Sequence, residues 1–251
     1  MTPVTRALRR PPRRRRPSVP TGLSIHIGLS SVDPVKCGGW DGQLNACEND
    51  ARDMAAIARA NGFGETVILT PDGTVENITA ALRDAAGGLT AGDILLFTYS
   101  GHGAQVDDTT EDEPDTLTPE ALESQFQTRD PAKVETASRL MPPLKQQEVF
   151  VRDRESYAGP QREPKNAQDA AGEPDALRIS ACQDNHLASD GGANGLFTAG
   201  LLKVRNDGPF EDGYRSFHRA IQRRVPVIQS PNLYLTGEPA ASFLPRKPFT
   251  V

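Results

Sequence analysis

Cysteine is scarce in this 251-residue chain: Cys37, Cys47 and Cys182 form an odd, widely spaced trio with no CxxC pair. That argues against a disulfide scaffold and a zinc site, and for a reducing, cytoplasmic compartment. Long apolar runs are also missing. None approaches the roughly 18–20 residues that a membrane span needs, so no membrane partner is expected. Neither GxGxxG nor a GxxxxGKS/T loop occurs, which leaves nucleotide binding without support. Acid is absent from residues 1–22, which hold seven arginines (Arg6, Arg9, Arg10, Arg13, Arg14, Arg15 and Arg16). The whole chain nets −5, so with +7 here the remainder carries −12. An acidic body of this kind makes a poor nucleic-acid-binding domain. Prolines around the arginines forbid helix, and no apolar stretch follows to make a secretory signal. Residues 1–22 therefore read as an Arg/Pro-rich disordered extension, and 23–251 as the folded domain.

Within that domain the apolar residues fall into an alternating order. Leu23, Ile25, Ile27 and Leu29 share one face of a first strand, predicted over 23–32. A glycine-rich loop, 37–42, leads into a helix over 45–60, with acids at its start, alanines in its body and Gly62 beyond its end. A short strand at 67–69, a helix over 74–86 and a strand over 93–99 follow. This β-α-β-α-β order implies right-handed crossovers and an α/β fold with a mostly parallel sheet. The pattern lapses between 104 and 175, an irregular insert with many prolines and weak helical stretches near 120–126 and 144–156. It resumes with a strand over 176–182, helices over 194–204 and 214–224, and a short strand at 232–235.

The third strand carries the strongest chemical signal. Ile94, Leu95, Leu96 and Phe97 read as a strand buried on both faces, and it ends in Ser100, Gly101, His102 and Gly103. Parallel sheets place their chemistry at the carboxyl ends of their strands. The glycines there leave backbone N–H groups open to a ligand. His102 and Cys182 are both predicted at such ends, where neighbouring strands would bring thiol and imidazole together for nucleophilic catalysis. A free cysteine at a strand end is equally at home as a small apolar filler. Asp50, beside the crevice with Ser100, would suit a cationic side chain, or it complements its helix dipole. The acids at 107–115 have the chemistry of a Ca²⁺ site but the spacing of no defined calcium loop. A solvated acidic loop is favoured, and no cofactor or metal site is expected beyond that candidate.

Three motifs together carry a family resemblance. They are Gly38–Met54 with its Cys-Glu-Asn-Asp core, Tyr99–Gln105 with Ser-Gly-His-Gly, and Ile179–Asn185 followed by Ser189-Asp-Gly and Gly195-Leu-Phe-Thr. In this order they resemble bacterial members of the caspase/metacaspase family, over about 23–117 and 176–251. The resemblance implies a caspase-type three-layer α/β sandwich and a cysteine endopeptidase that cuts after Arg or Lys. It makes His102 the general base and the Gly103 amide an oxyanion donor. It places Asp50 and Ser100 in the pocket for the basic side chain, and Asp184 and Asp190 along the substrate groove. The implied partner is a peptide or protein with a basic side chain; oligomeric state is not legible.

The departure from the family is in the nucleophile. Its motif, of Asp-x-Cys-His-Ser-Gly type at the end of a fourth strand, has no match here. Cys182 falls on the following strand, eighty residues after His102, where the caspase spacing is about 50. The expectation is a sandwich with one central strand missing and hydrolysis impaired. Two alternatives accompany it: a non-catalytic peptide-binding scaffold, and an active protease using Cys182 as a surrogate nucleophile.

Overall fold

The computed structural model describes residues 21–104, 139–156, 175–182, 188–207, 210–226, 229–236 and 243–251. Residues 1–20, Gln105, the 107–115 acids, the 120–126 stretch and Asp184 lie outside them. In chain order the elements are β1 (Gly22–Gly28), α1 (Cys47–Ala60), β2 (Gly64–Leu69), a 3₁₀ turn (Thr70–Asp72), α2 (Val75–Gly88) and β3 (Ile94–Ser100). Then come α3 (Pro143–Arg152), β4 (Ala176–Ser180), α4 (Leu196–Asn206), α5 (Tyr214–Gln222) and β5 (Asn232–Thr236).

The first three strands form a parallel sheet in the order β2-β1-β3, as the alternation of strands and helices requires. The alternation in β1 sorts its side chains between two helical layers. Ile25 and Ile27 face α2, packing with Ile68, Ala85, Leu23, Leu29, Ile78, Ala81 and Leu82. Its other face, Ser24, His26 and Gly28, turns toward α1. Gly28 is needed there, because a Cβ would sit 2.4 Å from the Cys47 carbonyl oxygen in the first turn of α1. Thr74 starts α2 by accepting a 3.2 Å hydrogen bond from the Asn77 amide, the side-chain cap that a helix start favours.

A second core joins α1 (Met54, Ile57), α4 (Leu201, Val204), α5 (Phe217, Ala220, Ile221) and Phe249. Leu96 of β3 and Ile179 of β4 both pack against it. The two sheets therefore roof one helical layer, with α2 on the opposite side of the parallel sheet: a three-layer sandwich.

Two expectations need correction. The third strand is not buried on both faces: Leu95, Phe97 and Tyr99 are 37%, 44% and 49% exposed. These three are register partners of Leu23, Ile25 and Ile27, on the face that α2 covers. The apolar groups packed from α2 meet β1 and β2, so the outward face of β3 stays open. The strand ending near Cys182 does not extend the parallel sheet either. Among the described residues β4 pairs only with β5, antiparallel, from Ala176↔Thr236 to Ser180↔Asn232. The outer edge of β3 is continued instead by a single parallel bridge, Gly103↔Leu140.

Candidate active site

The end of β3 and the start of α1 converge because both pack against the end of β1. Ser100 donates a 2.6 Å hydrogen bond to Asp50 Oδ2. Asp50 lies in the first turn of α1 but turns its carboxylate into the cleft rather than capping its own helix. Its Oδ1 accepts from the Gly195 amide at 3.0 Å and from Asn194 Nδ2 at 3.2 Å. Asp190 stands beside it, its Oδ2 accepting from the Asn45 amide at 2.6 Å. Both carboxylate side chains are 2% exposed. Buried like charges of this kind need a counterion.

Arg139 supplies it. Its guanidinium donates to Ser100 Oγ at 2.8 Å, to Asp50 Oδ2 at 2.8 Å and to Asp190 Oδ1 at 2.9 Å. Burial disfavours its charge, but the fields of Cys47 and Asp50 and the bonds to both aspartates outweigh that and raise its pKa. The planar fork of arginine suits such two-carboxylate recognition. The Arg139 backbone is fixed as well: its N–H donates to the Ala188 carbonyl at 3.0 Å, and its carbonyl accepts from the Gly103 amide at 2.8 Å.

His102 sits next to that peptide. Its Nε2 donates to the Gly42 carbonyl at 2.8 Å, which leaves Nδ1 as the lone-pair nitrogen, buried and without a partner. Trp40 packs edge-on to the imidazole, with ring centroids 4.6 Å apart. Gly42 has φ +56°, and a Cβ there would meet Trp40 at 2.8 Å and the imidazole at 2.9 Å; the glycine lets the loop press against the ring. Burial is the main cause lowering the His102 pKa, opposed chiefly by the hydrogen bond to the Gly42 carbonyl. The ring is therefore neutral at neutral pH and able to accept a proton.

Of the residues singled out from sequence, Asp50, Ser100 and Asp190 share one pocket, with His102 and Gly103 at its mouth. Cys182 lies just past β4 on the two-stranded sheet, half-buried, its carbonyl accepting from the Ser180 hydroxyl at 2.8 Å. Sequence reasoning missed Arg139, Asn45, Asn194, Gly195 and Cys47. Cys47 lies buried beneath the pocket against Ser100, and burial pushes its thiol up to about 11, which makes it a poor nucleophile. A signal for Arg139 was present. Pro142 and Pro143 follow Met141 and bias it toward extended backbone, so 139–141 is a peptide-like basic segment.

A caspase domain model matches residues 33–238. The chain belongs to the caspase family. Its relatives include Metacaspase-1 of Mycosarcoma maydis, 38% identical over 86 residues, which make up 31% of this chain and 21% of that protein. Metacaspase-1A of Neurospora crassa is 38% identical over 87 residues, 31% of this chain and 19% of its own length. The match thus spans about a fifth of these curated relatives. A crystal structure of a Geobacter sulfurreducens protein is similar throughout: 38% identity, TM-score 0.75, covering 92% of this chain and 99% of that one. The caspase-type sandwich is therefore the architecture of this family member, with its pocket in the cleft above β3.

Proposed function

We propose that this caspase-family chain is a cysteine-endopeptidase homologue whose cleft takes a peptide by an Arg or Lys side chain, and whose hydrolytic step is impaired. One observation carries the specificity: the Asp50–Ser100–Asp190 pocket already holds a guanidinium. The same carboxylates would hold a substrate arginine, while an acidic side chain would meet two buried negative charges. His102, with Nδ1 free, is placed to act as a base, and the Gly103 amide to bind a carbonyl oxygen. Impairment rests on the sequence, where no Asp-x-Cys-His-Ser-Gly motif supplies a thiol.

The test is turnover of fluorogenic peptides ending in Arg or Lys, with and without Ca²⁺. The expected rate matches that of the Cys182→Ala chain. Turnover lost in both Cys182→Ala and His102→Ala would overturn the impairment and make Cys182 the nucleophile. The side-chain preference is read separately, from labelled peptides differing only in Arg or Asp. The Arg peptide should bind more tightly, and Asp50→Asn should erase the difference.

A further inference from the structure

Arg139 is held as a bound peptide residue would be. An extended ligand in a cleft is fixed by main-chain hydrogen bonds on both sides and by a pocket for its side chain. Arg139 has all three. Its N–H reaches Ala188 beyond β4, its carbonyl takes the Gly103 amide beyond β3, and its guanidinium enters the acidic pocket. Met141 continues the register, its N–H donating to the Gly103 carbonyl at 2.9 Å. The segment is then tied down through α3. Lys145 donates to the Gly38 carbonyl at 2.9 Å, and Arg152 bonds the Lys36 carbonyl; both acceptors are in the loop that carries Trp40.

From this we infer that Arg139–Met141 is a built-in ligand that closes the cleft in cis, so that basic peptides bind only by displacing it. The inference rests on the pocket reading proposed above. An occupant tethered on the same chain competes at an effective concentration on the order of millimolar. Peptides of ordinary affinity would thus be held off by at least about tenfold. The fit of the guest is incomplete. Arg139 Nε is buried without a partner, and an unsatisfied buried group weakens the contact that contains it. That shortfall makes the segment displaceable rather than a permanent part of the core.

The experiment uses the full chain and a fluorescein-labelled tetrapeptide ending in argininamide, read by anisotropy, with an Asp-containing peptide as control. Arg139→Ala is expected to bind the Arg peptide at least about tenfold more tightly than the unsubstituted chain, and Arg139→Lys to fall between. Should Arg139→Ala fail to fold, the unsubstituted chain decides. At saturating peptide, hydrogen exchange at the Arg139 and Met141 amides should accelerate, because both leave their carbonyl partners. Equal affinity in the two chains, or unchanged exchange at saturation, overturns the built-in ligand and leaves the pocket reading intact. Folded Arg139→Ala that binds no Arg peptide overturns the pocket reading and the inference together.

Discussion

Between Gly22 and Ser100 the chain lays down three parallel strands and two helices, each strand register-paired to its neighbour. From Arg139 onward the described residues form three helices and one antiparallel pair. The first region is organised by its sheet, with β1 buried between two helical layers. The second is organised by helices, and its strands are peripheral: Tyr234 of β5 is 52% exposed. The regions meet at the helical core and at the acidic pocket. Asp50 and Ser100 come from the first, and Arg139, Asp190, Asn194 and Gly195 from the second. The contrast teaches how two differently built halves are joined: they meet at a polar joint where one guanidinium bridges carboxylates from both.

Breaking the joint should have the largest effect. Asp50→Ala removes the acceptor shared by Ser100, Arg139, Asn194 and the Gly195 amide. Arg139 keeps Asp190 as its counterion, but the Ser100 hydroxyl, Asn194 Nδ2 and the Gly195 amide lose a buried charged acceptor. At about 1–3 kcal/mol for each buried group left unsatisfied, the total should reach about 3–5 kcal/mol. Urea unfolding at pH 7 should show that loss, with Asp50→Asn retaining part of it. A loss under about 1 kcal/mol would mean that the halves cohere without the pocket.

Next come the two cores. Ile25, 2% exposed, anchors the α2 side, and Phe217, 1% exposed, the α5 side. Ile25→Ala and Phe217→Ala should each cost about 2–5 kcal/mol in lost burial and cavity formation. Both should shift one cooperative transition, since α1 packs on β1 and also gives Met54 and Ile57 to the helical core. Two separate transitions in either variant would show that the halves unfold independently.

The same contrast decides how much could be read from the residues. The β-α-β-α-β half was legible because its signals are local: alternation in Leu23–Ile27, alanines and capping in α1 and α2, and an apolar run closing on Ser-Gly-His-Gly. The pairing of β4 was not legible. Nothing in Ala176–Ser180 distinguishes a strand beside β3 from one beside β5, because that choice is made by which edges are free. The openness of β3 was missed for a related reason: an apolar run reports that burial is favourable, not that a covering element is there. In the site, Asp50, Ser100 and Asp190 could be named from motif resemblance. For their common partner Arg139 the prolines signal only an extended segment; nothing local joins it to Asp50, 89 positions away.

A pH experiment sharpens the comparison on the sheet side. His26 is buried in the middle of β1, its Nδ1 2.8 Å from Thr98 Oγ1 and its Nε2 unpartnered. Burial lowers its pKa from 6.5 to about 4, against a small opposing pull from Glu65. The unfolded chain therefore binds this proton first as pH falls. Its contribution to stability is intact above pH 6.5, is lost progressively between 6.5 and about 4, and changes no further below that. The loss should be about 3 kcal/mol, at about 1.36 kcal/mol per pKa unit. Comparing urea midpoints at pH 7, 5.5 and 4 with those of His26→Gln should remove this part of the slope. An unchanged slope would overturn the assignment to His26.

The smallest effect belongs to the open face of β3, and it discriminates most finely. Phe97 is the register partner of Ile25, one strand over on the same face of the sheet. Ile25 is 2% exposed and Phe97 44%. Phe97→Thr puts a β-branched residue with good strand preference in place of an aromatic side chain that is already half in water. Its cost should stay within about 0.5 kcal/mol, as for surface substitutions generally, although the two positions touch neighbouring points of one pleat. A measured loss above about 2 kcal/mol, the scale of a filled core site, would show this face to be covered in solution. The distinction between a sheet sealed on β1 and open on β3 would then fail.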